Sequence, residues 1–208
     1  MSTAATHTRY ERRRRETADR ITQAASALFG ERGVEGTTIA DLCDRADVAR
    51  QTFFNHFDSK QALVRELARR GHDFFVEAVL AAQKHPGSTG ERLAWMFSTI
   101  HGAAASVGPM HHDLVSATLG ASYEPDDPAD LQGLHRAVEK LIRQGRAAGD
   151  VSRRHAVEDQ AVLVLGALHD LMMAWAHRTD FPIARRSNRM ARLLADALAP
   201  RAGGAERS

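Results

Sequence analysis

The sequence predicts an all-α fold of about nine helices. Three observations carry this prediction. No stretch alternates Val, Ile and Thr with polar residues as a half-buried strand would. Apolar residues recur instead at i, i+3, i+4 and i+7, the spacing of one helix face. The interruptions carry helix punctuation: Gly, Pro, or a Ser/Thr followed three residues later by an acid.

The elements follow in order. The first helix covers about 12–32, with the stripe Ile21, Ala24, Ala25, Leu28 and Phe29, and Gly33 ends it. Thr37 and Thr38 cap a short helix of about 38–45, in which Thr38 and Asp41 fit a capping box. Ala46-Asp47-Val48 makes a tight turn into a second short helix, 49–55. Ser59 caps a long helix from about 60 into the low 80s, its apolar side Leu63, Val64, Leu67, Phe74, Phe75 and Val79. Lys84-His85-Pro86-Gly87 breaks the pattern, and Ser88 to Glu91 opens the fifth helix, about 89–105. Pro109 opens the sixth, about 109–119, and Tyr123 to Asp127 is an acidic loop. Pro128 opens the seventh, about 128–147, and Gly149-Asp150 is a turn. The eighth, about 155–177, is apolar on two sides, and the ninth spans about 182–199. The tail 201–208 is small and polar and reads as disordered.

Composition narrows the class. Of 208 residues 43% are hydrophobic, which excludes a disordered chain. A single Cys excludes a disulfide framework and a Cys-based zinc finger. No apolar run approaches the roughly 18 residues of a spanning helix. The polar start, ending in Arg12 to Arg15, reads as neither secretion signal nor anchor, so the cytoplasm is the expected location. The net charge of +2 hides an asymmetry: residues 1–70 hold 13 basic and 10 acidic side chains, and 71–208 hold 15 and 16. The excess lies at the front, in Arg9 and Arg12 to Arg15. The chain lacks a nucleophile–base–orienter set, a Gly-rich phosphate loop and a helical His-Glu-x-x-His. It is expected not to be an enzyme and to need no cofactor.

The informative stretch is Thr37 to Lys60, TTIADLCDRADVARQTFFNHFDSK. Two short helices joined by a three-residue turn make a helix-turn-helix. Ile39, Ala40, Leu42, Cys43, Val48, Phe53 and Phe57 form its inner positions. The outer face of the second short helix offers Arg50, Gln51, Thr52, Asn55 and His56, donors and acceptors of the kind that read groove edges. Lys60, opening the next helix, stands where a phosphate would lie. Cys43 is a small core residue.

This segment resembles the DNA-binding domain of the TetR/AcrR-type transcriptional regulators. Thr37, Thr38, Leu42, Cys43, Ala46, Val48, Thr52, Phe53, His56, Phe57, Ser59 and Lys60 match in register over about 24 residues. Leu141 to Val151, followed by a long apolar helix, is also similar to the end of that family's seventh helix. Three positions depart from it. Asp47 stands for the turn glycine, Ala49 for a serine near the phosphates, and Phe54 for a tyrosine whose hydroxyl touches a phosphate in the family.

The resemblance implies double-stranded DNA as partner. Arg50, Gln51 and Asn55 would read base edges, and Thr38, His56 and Lys60 would hold phosphates. Ala49, Thr52 and Phe54 occupy further DNA-facing positions, and Arg12, Arg13 and Arg14 belong to a basic arm that offsets the two missing hydroxyls. It also implies a C-terminal domain that binds a small effector and dimerises. Candidate pocket residues are Trp95, Phe97, Ile100, His101, Met110, His111, Leu114, His169, Met173, Trp175 and His177, a largely apolar set. Thr99 joins them. Candidate homodimer residues are Val162, Leu165, Gly166, Met190 and Leu194, on two helices that would pair with a partner's.

The expected organisation is an arm at 1–15, a DNA-binding domain at 16–62, an effector and dimerisation domain at 63–200, and the tail 201–208. The expected function is a ligand-responsive, sequence-specific repressor on a palindromic operator, with no membrane partner. Two other readings follow from the same residues. The eleven histidines, with His111-His112-Asp113 and His169-Asp170, suggest a metal-responsive regulator. Neighbours on a helix point about 100° apart, though, and do not converge on one zinc, so no metal site is assigned. The other is a DNA-binding protein that needs no ligand.

Overall fold

The computed structural model describes residues 3–107, 112–120, 128–178 and 180–200, and every regular element among them is a helix. In chain order these are α1 (Thr3–Arg32), α2 (Ile39–Ala46), α3 (Arg50–Phe54), α4 (Lys60–Lys84), α5 (Thr89–Val107), α6 (His112–Gly120), α7 (Pro128–Ala148), α8 (Val157–His177) and α9 (Ile183–Leu198). The elements lie where the periodicity put them, with one large difference. Helix α1 begins at Thr3 and not near residue 12, so residues 3–11 extend it into one 30-residue rod. The physical reason is local. Between Thr3 and Phe29 there is no Gly or Pro, Ala and Arg are strong helix formers, and Arg12 pairs with Glu16 at i, i+4 (3.6 Å). Pro109, the acidic loop Tyr123 to Asp127 and the tail 201–208 lie outside the described residues.

Two hydrophobic cores divide the chain. The first joins Ile21, Ala25, Leu28 and Phe29 of α1, Leu42 and Cys43 of α2, Phe53 of α3, Phe57, and Leu63 of α4. The second joins residues of α4 to α9, among them Val79, Leu93, Met96, Phe97, Leu141, Ile142, Val164, Leu168 and Leu194. Helix α4 serves both: its first turns close the small core, and Phe75, Val79 and Ala82 enter the large one. An ion-pair chain also fastens α4 to α1. Arg70 holds Asp19 at 2.9 Å and Glu66 at 2.8 Å.

Caps set the ends. Gly33 takes φ 77° after α1. At α5 the Ser88–Glu91 box forms, the Ser88 N–H donating to Glu91 Oε2 at 2.7 Å. Asp150, in the turn after α7, reaches the same helix start and accepts from the Thr89 N–H (2.6 Å) and hydroxyl (2.9 Å). A carboxylate at a helix N-terminus meets unpaired N–H groups and the positive end of the dipole. No helix among the described residues is long and apolar enough to cross a membrane.

Candidate functional site

The helix-turn-helix is built from its caps inward. Thr38 is the N-cap of α2. Its N–H and hydroxyl both donate to Asp41 Oδ2 (2.8 and 2.6 Å), and its oxygen accepts from the Asp41 N–H (3.1 Å). Arg32 adds a contact to Asp41 at 3.1 Å. Hydrogen bonds from Thr38, reinforced by the Arg32 charge, hold the Asp41 carboxyl below its ordinary 3.8. Asp47 closes α2 in the left-handed conformation, φ 51° and ψ 57°, the place the family gives to glycine. Asp is among the residues that tolerate this region. Its N–H donates to Asp44 O, and that of Val48 to Cys43 O, so the turn satisfies its own backbone.

Helix α3 then sits on Phe53, which is fully buried. Its opposite face is open. Arg50, Gln51, Phe54 and Asn55 are exposed, while Thr52 and His56 are half-buried. Gln51 Nε2 donates to Asn55 Oδ1 at 3.2 Å. The Arg50 guanidinium lies over the Phe54 ring, 5.7 Å from its centre. Phe54 thus stacks on the cation where the family's tyrosine would offer a hydroxyl. Burial, aided by the nearby Arg14 charge, pushes the His56 ring below its ordinary 6.5.

Two expected phosphate contacts have internal work. The Thr38 hydroxyl proton is committed to Asp41, so Thr38 has only its capping geometry to offer. The Lys60 ammonium donates to Val34 O (2.7 Å) and Thr37 O (3.1 Å), which leaves one N–H free of the two carbonyls. Ala40, expected inside, is exposed. Arg12, Arg13 and Arg14 are exposed on the helical rod.

In the second core a cavity of about 250 Å³ opens between α4, α5, α6 and α8. Its wall is Gly71, Phe74, Phe75, Ile100, Ala103, Ala104, Val115, Thr118, Met172 and Trp175. The Thr118 hydroxyl donates to Leu114 O at 2.8 Å, so the wall is in effect apolar. Of the expected pocket residues, only Ile100 and Trp175 line it. Phe97 is core. Trp95 is half-buried and stacks on His85, 5.5 Å between ring centres. The His101 ring contacts its own helix at Phe97 O. Met173 accepts from the Ser116 hydroxyl. His169 and His177 are exposed. Leu114 lines a different cavity of about 290 Å³, between α1, α4 and α6 and bordered by Arg70 and Gly71. Met110 and His111 lie outside the described residues. Sequence reading missed Phe74, Phe75 and Met172 as wall residues, and with them the small Gly71, Ala103, Ala104, Val115 and Thr118. Their small size was the available signal, since small residues leave the space that neighbouring Phe and Trp rings enclose.

The dimer candidates also divide. Leu165 and Leu194 are buried in their own core, a correction forced by helix rotation. Val162, Leu163 and Leu193 are 59, 48 and 61% exposed, and with Gly166 and the half-buried Met190 they leave an apolar face on α8 and α9. Leu163 and Leu193 were not expected there. Among the described residues no group of three or more His, Cys, Asp or Glu converges on a possible metal.

A three-helix unit with an open, polar third helix, joined by a shared long helix to a bundle with an apolar cavity, defines a helix-turn-helix architecture with two hydrophobic cores. Residues 21–67 match the family of bacterial regulatory proteins, tetR family. The chain is similar to the HTH-type transcriptional repressor KstR2 of Rhodococcus jostii, 42% identical over 45 residues. That match covers only 22% of this chain and 22% of the repressor. The fold extends much further. The transcriptional regulator FadR of Bacillus subtilis, solved with stearoyl-CoA, superposes with a TM-score of 0.68 over 86% of this chain and 98% of its own, at 18% identity. TylP, a tetR regulator from Streptomyces fradiae, does so with a TM-score of 0.61 over 89 and 87%, at 22% identity.

Proposed function

We propose that the chain is a ligand-responsive, sequence-specific transcriptional repressor that works as a homodimer on a palindromic operator. The observation that carries this reading is the open face of α3. Arg50, Gln51 and Asn55 are exposed on a helix anchored by the fully buried Phe53. Exposed side chains of this kind on a rigid base match base edges in a major groove. Arg50 suits guanine, and the Gln51 and Asn55 amides suit adenine. His56 and the third N–H of Lys60 face the backbone.

One short helix makes too few contacts for tight specific binding, so two copies are needed. Val162, Leu163, Gly166, Met190 and Leu193 form the surface we assign to pairing. The effector occupies the cavity between α4, α5, α6 and α8. With no charged group in its wall, it takes a small, largely apolar molecule or the apolar end of one. The fold neighbour solved with stearoyl-CoA supports this, since that ligand carries an acyl chain. Coupling runs along α4, which reaches from Leu63 in the first core to Phe75 at the cavity, about 18 Å of continuous helix. The effector shifts the DNA-competent geometry only by its differential affinity for the two states.

The test is binding of the full chain to duplexes from its own upstream region and to random duplex, at physiological salt, with and without apolar compounds. The expected result is a preference of roughly a thousandfold or more, lost on addition of one compound class. Equal affinity for both duplexes would overturn the reading.

A further inference from the structure

We infer that the N-terminal end of α1 is a rigid basic rod that docks along the DNA backbone beside the half-site read by α3. The inference rests on the DNA-binding reading and adds a second contact surface to it. The small core takes residues from Ile21 onward, with Ala18 packed at its edge, so residues 9–17 project ahead of it as continuous helix. Arg9, Arg12, Arg13, Arg14 and Arg15 are all exposed there. Arg12 pairs with Glu16, and among the described residues Arg9, Arg13, Arg14 and Arg15 hold no carboxylate.

Position points to the partner. Arg14 stands seven residues before Ile21, on the helix face that enters the small core shared with Phe53 of α3. It lies near enough to His56 for its charge to act on that ring, which directly follows Asn55 of the reading face. The rod carries five arginines against Glu11 and Glu16, so its net charge is positive on the side of the small domain from which Arg14 reaches towards His56. From Arg9 to Arg15 the helix rises about 9 Å, a length over which duplex DNA carries about five phosphates. Guanidinium groups match phosphates in bidentate fashion. A membrane surface is a poor fit, because an interfacial helix needs an apolar face, and Tyr10 is the one large apolar residue between 9 and 17.

Two variants of the full chain test this. Replacing Arg9, Arg13, Arg14 and Arg15 by Gln removes the charge and keeps helix formers. Thr17→Pro keeps every charge and breaks the rod at its base, with Thr17→Gly as the milder version. Circular dichroism and thermal unfolding check the fold. Binding is read by fluorescence anisotropy on a mixed-sequence duplex and on the upstream duplex, between about 50 and 200 mM salt. The Gln variant is expected to make the slope of log K against log salt shallower by roughly 1–2 per protomer on both duplexes, since neighbouring arginines on a helix point about 100° apart and only part of the set meets one backbone. Thr17→Pro is expected to lose a comparable share. An unchanged slope in the Gln variant would overturn DNA docking and leave another acidic partner. A loss in the Gln variant with none in Thr17→Pro or Thr17→Gly would overturn the rigid rod in favour of a flexible tether. If the unaltered chain shows no preference for the upstream duplex, the regulator reading itself fails, and that is visible before either variant is tried.

Discussion

The ammonium of Lys60 donates to the carbonyl of Val34 at 2.7 Å, across 26 residues of chain, and to that of Thr37 at 3.1 Å. A cation in the first turn of a helix opposes the helix dipole. The two carbonyls offset that, and in return the loop between α1 and α2 is held against the start of α4. Lys60→Ala is therefore expected to destabilise the small domain by about 1–3 kcal/mol through the loss of two charge-assisted hydrogen bonds, the Val34 carbonyl keeping only the Thr37 N–H. It is also expected to weaken binding to all DNA sequences alike. Urea unfolding of the full chain beside DNA binding checks this, and an unchanged midpoint would show that the staple contributes nothing.

Arg50, Gln51 and Asn55 face outward together, and Gln51 already holds Asn55 at 3.2 Å. Arg50→Ala is expected to relax base preference at one operator position by about 1–3 kcal/mol. The salt slope should change little. Competition binding with singly substituted operators measures it, and preserved selectivity would remove Arg50 from the readout.

The Asp41 carboxyl lies below its ordinary 3.8 because Thr38 donates to it twice and Arg32 stands beside it. The Ser88 N–H and hydroxyl likewise lower Glu91 from 4.5. A carboxyl depressed in the folded state stabilises above its unfolded value, and loses that contribution as pH falls through the folded one. Stability is thus expected to decline on acidification below about pH 4. Asp41→Asn should be less stable than the parent at neutral pH and converge with it in acid. Parallel curves across the whole range would show that the box carries no linked proton.

Val162, Leu163 and Leu193 are too exposed to serve the chain's own core. Leu163→Asp with Leu193→Glu is expected to shift sedimentation from twice 22.8 kDa to 22.8 kDa at micromolar concentration, with helicity retained. An unchanged dimer would move the interface elsewhere.

A side chain on Gly71 would meet the Thr118 methyl, with a Cβ only 2.6 Å from Cγ2. Gly71→Ala is expected to push α4 and α6 apart at the cavity wall and to cost about 1–3 kcal/mol. Thr118→Ser removes that methyl, so the double variant should recover part of the loss. Additive effects would show that the two residues do not meet.

Much of this protein was legible as sequence because the signals are local. Stripes such as Ile21 to Phe29, boxes such as Thr38–Asp41 and Ser88–Glu91, and the left-handed turn at Asp47 depend on residues within a few positions of one another. The outward face of α3 followed from them, since burying Phe53 sends Arg50 and Asn55 the other way. The helix was expected to begin near residue 12, and the structure extends it back to Thr3.

The rest was decided by how helices rotate and pack against neighbours remote in sequence. On α8, Val162 and Leu165 both look apolar, yet only the tertiary contacts put Leu165 inside and leave Val162 and Leu163 outside. The cavity is a space between four helices, so no single segment encodes it. Ile100 and Trp175 reach it, while His169 rotates to solvent. Lys60 is the plainest case. Its sequence position suggested a phosphate, and the folded chain gave its ammonium two carbonyls from a loop 23 and 26 residues away. Local spacing is set by covalent geometry and hydrogen bonding along the chain. Which face is covered, and which charge finds a partner, depends on distances that exist only once the helices are assembled.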